Sequence, residues 1–142
     1  MVRRGLLTLE NLSGYATTDL VDWFSTFMAR EGVREPKSII VYAAPSRSRG
    51  CAEVGPDKSG LASRPRRKEG EKVVFSIAAP WRFRLRRWYN LNRHEFAHSV
   101  DGLEHEEMPE DVEWSMCTVP AWARRFDRPG WPRHVGRAPA QL

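Results

Sequence analysis

Cysteine is nearly absent from this chain. Cys51 and Cys117 stand alone in 142 residues, so neither a disulfide framework nor a CxxC metal or redox pair can be built. That usage points to a reducing cytoplasm. Long apolar runs are missing as well, and none approaches the roughly 20 residues that span a bilayer as a helix. The opening Met1-Val2-Arg3-Arg4-Gly5-Leu6-Leu7 has two arginines but no long apolar region and no small-residue cleavage site, so it reads as mature sequence. There is no GxxxxGK[ST] phosphate loop, no GxSxG elbow and no internal repeat, which leaves the nucleotide-loop and serine-elbow enzymes without support. Histidine is scarce too, four residues in all, and this makes the placing of three of them informative.

What is present suits one globular unit. A chain of this length supports one core and is too short for two ordinary domains. Hydrophobic residues make up 41% and charged residues 29%, with a net charge of +5. That balance fits two readings: a surface that meets nucleic-acid phosphate, or a merely solvated basic surface.

The coarse order of elements follows from periodicity. Leu6–Leu9 suggests a loose arm or short strand. Thr17 or Thr18 can cap a helix with Asp19 and Asp22 at its positive end. Leu20, Val21, Phe24, Phe27 and Met28 recur at helical spacing, Trp23 widens the stripe, and Gly32 with Pro36 ends it. Ser38–Ala44 is β-branched and predicts a buried strand, and Lys72–Ala79 predicts another. Cys51–Gly55 is a weaker strand candidate. Residues 56–71 read as a long loop carrying Arg64-Pro65-Arg66-Arg67-Lys68. A further helix should begin between Arg82 and Trp88 and run to Val100 or Asp101, with Gly102 in the left-handed cap position. Pro109 suits the first position of a last helix, and Ala121–Phe126 can add a turn. The expected architecture is α+β: an N-terminal helix on a small three-stranded sheet, a central helix and a further C-terminal helix. Residues 1–126 form the single domain, and 127–142 form an irregular Pro/Gly/Arg-rich tail laid on the surface through Trp131.

The chemistry concentrates in Arg93-His94-Glu95-Phe96-Ala97-His98, an HExxH stretch on the central helix. Residues four apart share one helix face, so His94 and His98 can offer two imidazoles to one ion. Glu95 lies beside the first ligand, placed to take a proton from a metal-bound water. A catalytic zinc site usually has three protein ligands and one open position. Gly102 lets the chain turn and bring His105 back to the ion, while Glu113 can arrive instead from the following helix. Asp101, one turn beyond His98, suits an orienting partner for an imidazole.

The stretch from His94 to His105 resembles the zincin metallopeptidases, and the small SprT-like and WLM-type zinc proteases in particular. Upstream, a helix, short strands with a Gly50-Cys51-Ala52 piece and an apolar strand before the metal helix strengthen the likeness. His105 lies one residue further on than the tight WLM-type pattern. The glycine and third histidine of the metzincin pattern would fall on Asp101 and Glu104. A minimal gluzincin-like arrangement, with Glu113 as third ligand, therefore stands beside it. The resemblance implies a zincin-like core, Zn2+ as cofactor, and a protein or peptide substrate extended along an edge strand near Val73–Ala79.

The expected function is a zinc-dependent endopeptidase with Glu95 as general base. Tyr89, His134 and nearby arginines are candidates for stabilising the oxyanion. The alternative is a basic nucleic-acid-binding protein with a structural or absent metal site, using Trp81, Phe83 and Trp88 to stack on bases.

Overall fold

A computed structural model describes residues 1–43, 60–61, 72–77 and 84–136. The expected strand at Cys51–Gly55 and most of the 56–71 loop lie outside these residues. Strands β1 (Val2–Arg4) and β2 (Leu7–Leu12) form an antiparallel hairpin. Its turn passes through Gly5 at φ +57, a conformation that L side chains resist. Helix α1 (Thr17–Arg30) then crosses over to β3 (Lys37–Ala43), which pairs parallel with β2. Strand β5 (Lys72–Ile77) pairs parallel with β3, and the two-residue β4 (Gly60–Leu61) pairs antiparallel with β5.

The sheet order is β1-β2-β3-β5-β4. The three longer strands form its centre and two short strands extend it on either side: β3 and β5 follow α1 as expected, whereas β2 precedes the helix, where the sequence suggested only a loose arm or short strand. The α+β class holds in this mixed form. β4 also corrects the reading of 56–71 as loop alone, because Gly60 and Leu61 lie opposite Phe75 and Val74. The strand expected as an open substrate edge is therefore partnered at those two positions. A two-residue strand has no periodicity to show, so the sequence could not reveal it.

Helix α1 buries Leu20, Val21, Trp23, Phe24, Phe27 and Met28, the stripe its spacing predicts. Trp23 is fully buried at the centre of an aromatic cluster. The rings of Phe27, Trp88, Trp122, Phe126 and Trp131 stand 5.0–6.3 Å from it, centroid to centroid. Its indole N–H donates to Asn92 Oδ1 at 3.3 Å. Helix α2 (Leu85–Asp101) begins inside the predicted interval and ends at Gly102, φ +68. It touches β4 and β5 on one side and the single turn α3 (Glu110–Glu113) on another. Pro109 is the cap before α3 rather than its first residue, and α3 stops where Ser115 adopts φ +57. A 3-10 helix follows at Ala121–Phe126.

Residues 127–136 are mostly exposed, but Trp131 and Pro132 are buried and tie the segment to the rest of the protein. Trp131 is only 6% exposed, and its ring lies tilted against Phe126, centroids 4.9 Å apart. The backbone of 133–135 is tied to 14–16: the Ala16 N–H donates to the Arg133 carbonyl at 2.7 Å and the Val135 N–H to the Gly14 carbonyl at 3.0 Å. Composition rich in Pro, Gly and Arg concealed this, since one tryptophan supplies the anchoring area. Among the described residues no helix is long and apolar enough to cross a membrane.

Candidate metal centre

The last two turns of α2 carry His94 and His98 on one face. The chain turns at Gly102, where the Leu103 N–H bonds back to the Ala97 carbonyl. A short 3-10 turn, His105–Glu107, begins three residues later. Glu104 and Glu107 cap it reciprocally, with the Glu104 N–H donating to Glu107 Oε1 at 2.9 Å. The result is that His105 faces the two helical histidines. Ring centroids are 5.0 Å apart for His94–His98, 5.0 Å for His94–His105 and 4.9 Å for His98–His105. One ligand nitrogen from each lies within 4.8 Å of the others. Nitrogens on a tetrahedral zinc ion stand about 3.4 Å apart, so the rings need only draw inward to share one ion.

The tautomers follow from the neighbours. His94 Nδ1 lies 3.1 Å from the Val112 carbonyl and His98 Nδ1 lies 2.6 Å from the Leu103 carbonyl. A carbonyl oxygen only accepts, so each Nδ1 is the protonated nitrogen. In the neutral ring this leaves the lone pair on Nε2, the arrangement that an outer hydrogen bond enforces on metal-binding imidazoles. Three neutral imidazoles are a donor set suited to zinc and related divalent ions. From Asp101 to Glu113 the chain has seven carboxylates and no lysine or arginine, and this local negative charge favours a cation.

Of the two third-ligand candidates, His105 joins the cluster. Glu113, on α3, is not among the residues that converge there. Asp101 is exposed and does not take the orienting role expected of it, because the Leu103 carbonyl holds His98 instead. The left-handed turn at Gly102 brings the Leu103 carbonyl back to His98 Nδ1. The two orienting groups are both backbone carbonyls, and a sequence carries no signal for these. Glu95 is buried, 7% exposed, on the same turn as His94.

Of the suggested oxyanion donors, Tyr89 is engaged elsewhere. Tyr89 is buried and its hydroxyl donates to Glu31 at 2.9 Å. Burial, together with that bond to Glu31, raises its pKa far above the ordinary tyrosine value. His134 lies edge-on to Tyr15 at 5.4 Å. Trp88, expected as a base-stacking residue, is buried in the core, while Trp81 and Phe83 lie outside the described residues. Comparison with known proteins adds no assignment: no family model, curated protein or solved structure matches the chain.

Proposed function

We propose that this protein is a zinc-dependent hydrolase of peptide bonds, an endopeptidase of zincin-like design. The observation that carries the reading is the triad of His94, His98 and His105, with two of its members already holding Nδ1–H toward carbonyls. A zinc ion held by His94, His98 and His105 would supply a Lewis acid able to activate water near neutral pH. The chain's own residues do the rest. His94 and His98 are locked in the tautomer that presents Nε2. Glu95 accepts the proton of the attacking water and returns it to the leaving amine. Burial of Glu95 keeps bulk water from competing for that proton. Substrate lies extended near the β5 margin beyond the short β4, in the manner of a peptide added to a sheet edge. A reducing cytoplasmic location accords with Cys117, a buried free thiol.

The test is metal content together with Glu95→Gln. Purified protein is expected to hold one zinc per chain. The variant is expected to keep that zinc and lose hydrolysis of an unfolded protein substrate by about 10²–10⁴-fold. Protein that holds no stoichiometric zinc, or a variant with undiminished hydrolysis, defeats the reading.

A second reading, nucleic-acid binding, has one observation in its favour. Arg84 and Arg128 line one hollow, and Arg86 and Arg124 line the next, with Leu85 and Asp127 common to both. Exposed arginines grouped in this way suit phosphate. Affinity for duplex DNA that falls steeply with salt supports it, and absence of binding at low salt removes it.

A further inference from the structure

One stripe of α2 repeats a single device three times. Asn90, His94 and His98 are spaced by four, so they stand above one another on the same helix face. Each hydrogen-bonds to a backbone carbonyl of the chain that follows the helix. Asn90 Nδ2 donates to the Cys117 carbonyl at 3.1 Å, His94 Nδ1 to Val112 at 3.1 Å, and His98 Nδ1 to Leu103 at 2.6 Å. Two of the three are ligand candidates and the first is not.

Asn90 is 1% exposed, and a buried amide is costly unless it is paired. It is paired on both sides of its plane. Its Oδ1 accepts the Cys117 N–H at 2.7 Å while Nδ2 bonds the Cys117 carbonyl, and Nδ2 also reaches the Arg86 carbonyl at 2.9 Å. The side chain thus grips one residue's backbone at both polar groups, as a neighbouring strand would.

What Asn90 grips is a stiff block. The Val112 and Glu113 N–H groups bond to the Pro109 carbonyl, the Trp114 N–H to Glu110, the Ser115 N–H to Val112 and the Met116 N–H to Asp111. Val112 and Cys117 also bury their side chains in the core. The Val112 carbonyl, which sets the orientation of His94, is therefore fixed from two ends. One end is the turn beginning at Pro109. The other is the Cys117 backbone in the grasp of Asn90.

We infer that Asn90 is a positioning residue for the metal centre. It anchors residues 109–117 so that the Val112 carbonyl holds His94 in the Nδ1–H tautomer, leaving Nε2 as the nitrogen that would meet an ion. This rests on the metal-site reading above. Nearby Asn92 supplies the contrast. It is equally buried, on the same helix, but it serves the aromatic core by accepting from Trp23 Nε1 at 3.3 Å and donating to the Trp88 carbonyl at 2.8 Å.

The experiment compares Asn90→Asp with Asn92→Ala, each shown to be folded by its tryptophan fluorescence and melting curve. Asn90→Asp keeps the size and the acceptor for the Cys117 N–H but turns a second oxygen toward the Cys117 and Arg86 carbonyls. Zinc affinity, read by competition with a chelating indicator, is expected to fall about tenfold or more, the scale of outer-sphere changes at metal sites. In metal-free protein, nitrogen NMR of the imidazoles is expected to show His94 as the Nδ1–H tautomer in the parent and as a mixture in Asn90→Asp. Asn92→Ala is expected to melt earlier and change neither readout. Should Asn90→Asp fail to fold, Asn90→Ala removes all three Asn90 bonds without adding charge and carries the same expectation. A folded Asn90 variant with the parent His94 tautomer overturns the inference, as does an Asn92→Ala protein with the same change. Because the tautomer is read without metal, failure to bind zinc at all would sink the proposed activity and leave this test standing.

Discussion

His98 donates its Nδ1 hydrogen to the carbonyl of Leu103, 2.6 Å away and just past the end of its own helix. The bond exists because Gly102 sits at φ +68 and folds the chain back over the last turn of α2. The helix terminator and the orientation of the His98 ring are thus one local structure. A glycine there does two things: it ends the helix, and it delivers both the Leu103 carbonyl and His105 to the site.

Gly102→Ala should therefore affect both stability and metal binding. A Cβ in the left-handed region costs about 1 kcal/mol. The melting temperature is expected to fall by several degrees. Zinc affinity is expected to drop further than in a surface variant of equal stability. Equal affinity at lower stability would separate the turn from the site.

The third ligand is decided by His105→Ala against Glu113→Ala. The first is expected to abolish stoichiometric zinc after dialysis, since two imidazoles alone do not complete a closed triad. The second is expected to leave metal content unchanged. The measurement is atomic absorption on dialysed protein.

Trp131→Ala should expose how far the packed unit extends. The indole is buried against Phe126 and Trp23. Large-to-small changes at such sites cost about 3–5 kcal/mol. Denaturant unfolding is expected to show that loss, and truncation after Phe126 is expected to cost at least as much. A variant that unfolds like the parent would return residues 127–136 to the status of a loose extension.

Acid unfolding should register the pair of Asp22 and Arg125. Two guanidinium nitrogens bond the carboxylate at 3.0 and 3.1 Å, and the Arg125 hydrogen bond holds the Asp22 pKa below its usual value. A carboxylate with a lowered folded-state pKa adds stability above its unfolded pKa near 4, and the contribution fades as pH falls through the folded value. Both side chains are 40% or more exposed, so water and salt screen the pair to about 0.2–1 kcal/mol. Asp22→Asn is expected to lower stability at pH 7 by that amount, with no difference from the parent at pH 2. Added salt should shrink the gap.

Thiol chemistry checks the core at Cys117. Burial pushes this thiol above its ordinary pKa, against the opposing influence of Arg93. In a Cys51→Ser background, alkylation at pH 8 is expected to be slow in native protein and fast in denaturant. Rapid labelling without denaturant would show that the segment behind α3 opens readily.

The sequence alone determined the elements that rest on repetition. The apolar stripe from Leu20 to Met28, the strands at 38 and 72, the helix bearing His94 and His98, and its end at Gly102 were all legible, because helical and strand periods put like residues on one face. So was the pairing of His94 with His98, since spacing by four is itself a geometry. Only the tertiary structure decided what depends on chain return. It brought His105 rather than Glu113 to the pair, covered part of β5 with Gly60 and Leu61, and drew Trp131 into the core. It also replaced Asp101 by the Leu103 carbonyl and set the Val112 carbonyl beside His94. Every residue has a backbone carbonyl, so no choice of side chain in the sequence marks the two that orient His94 and His98; turns and packing select them.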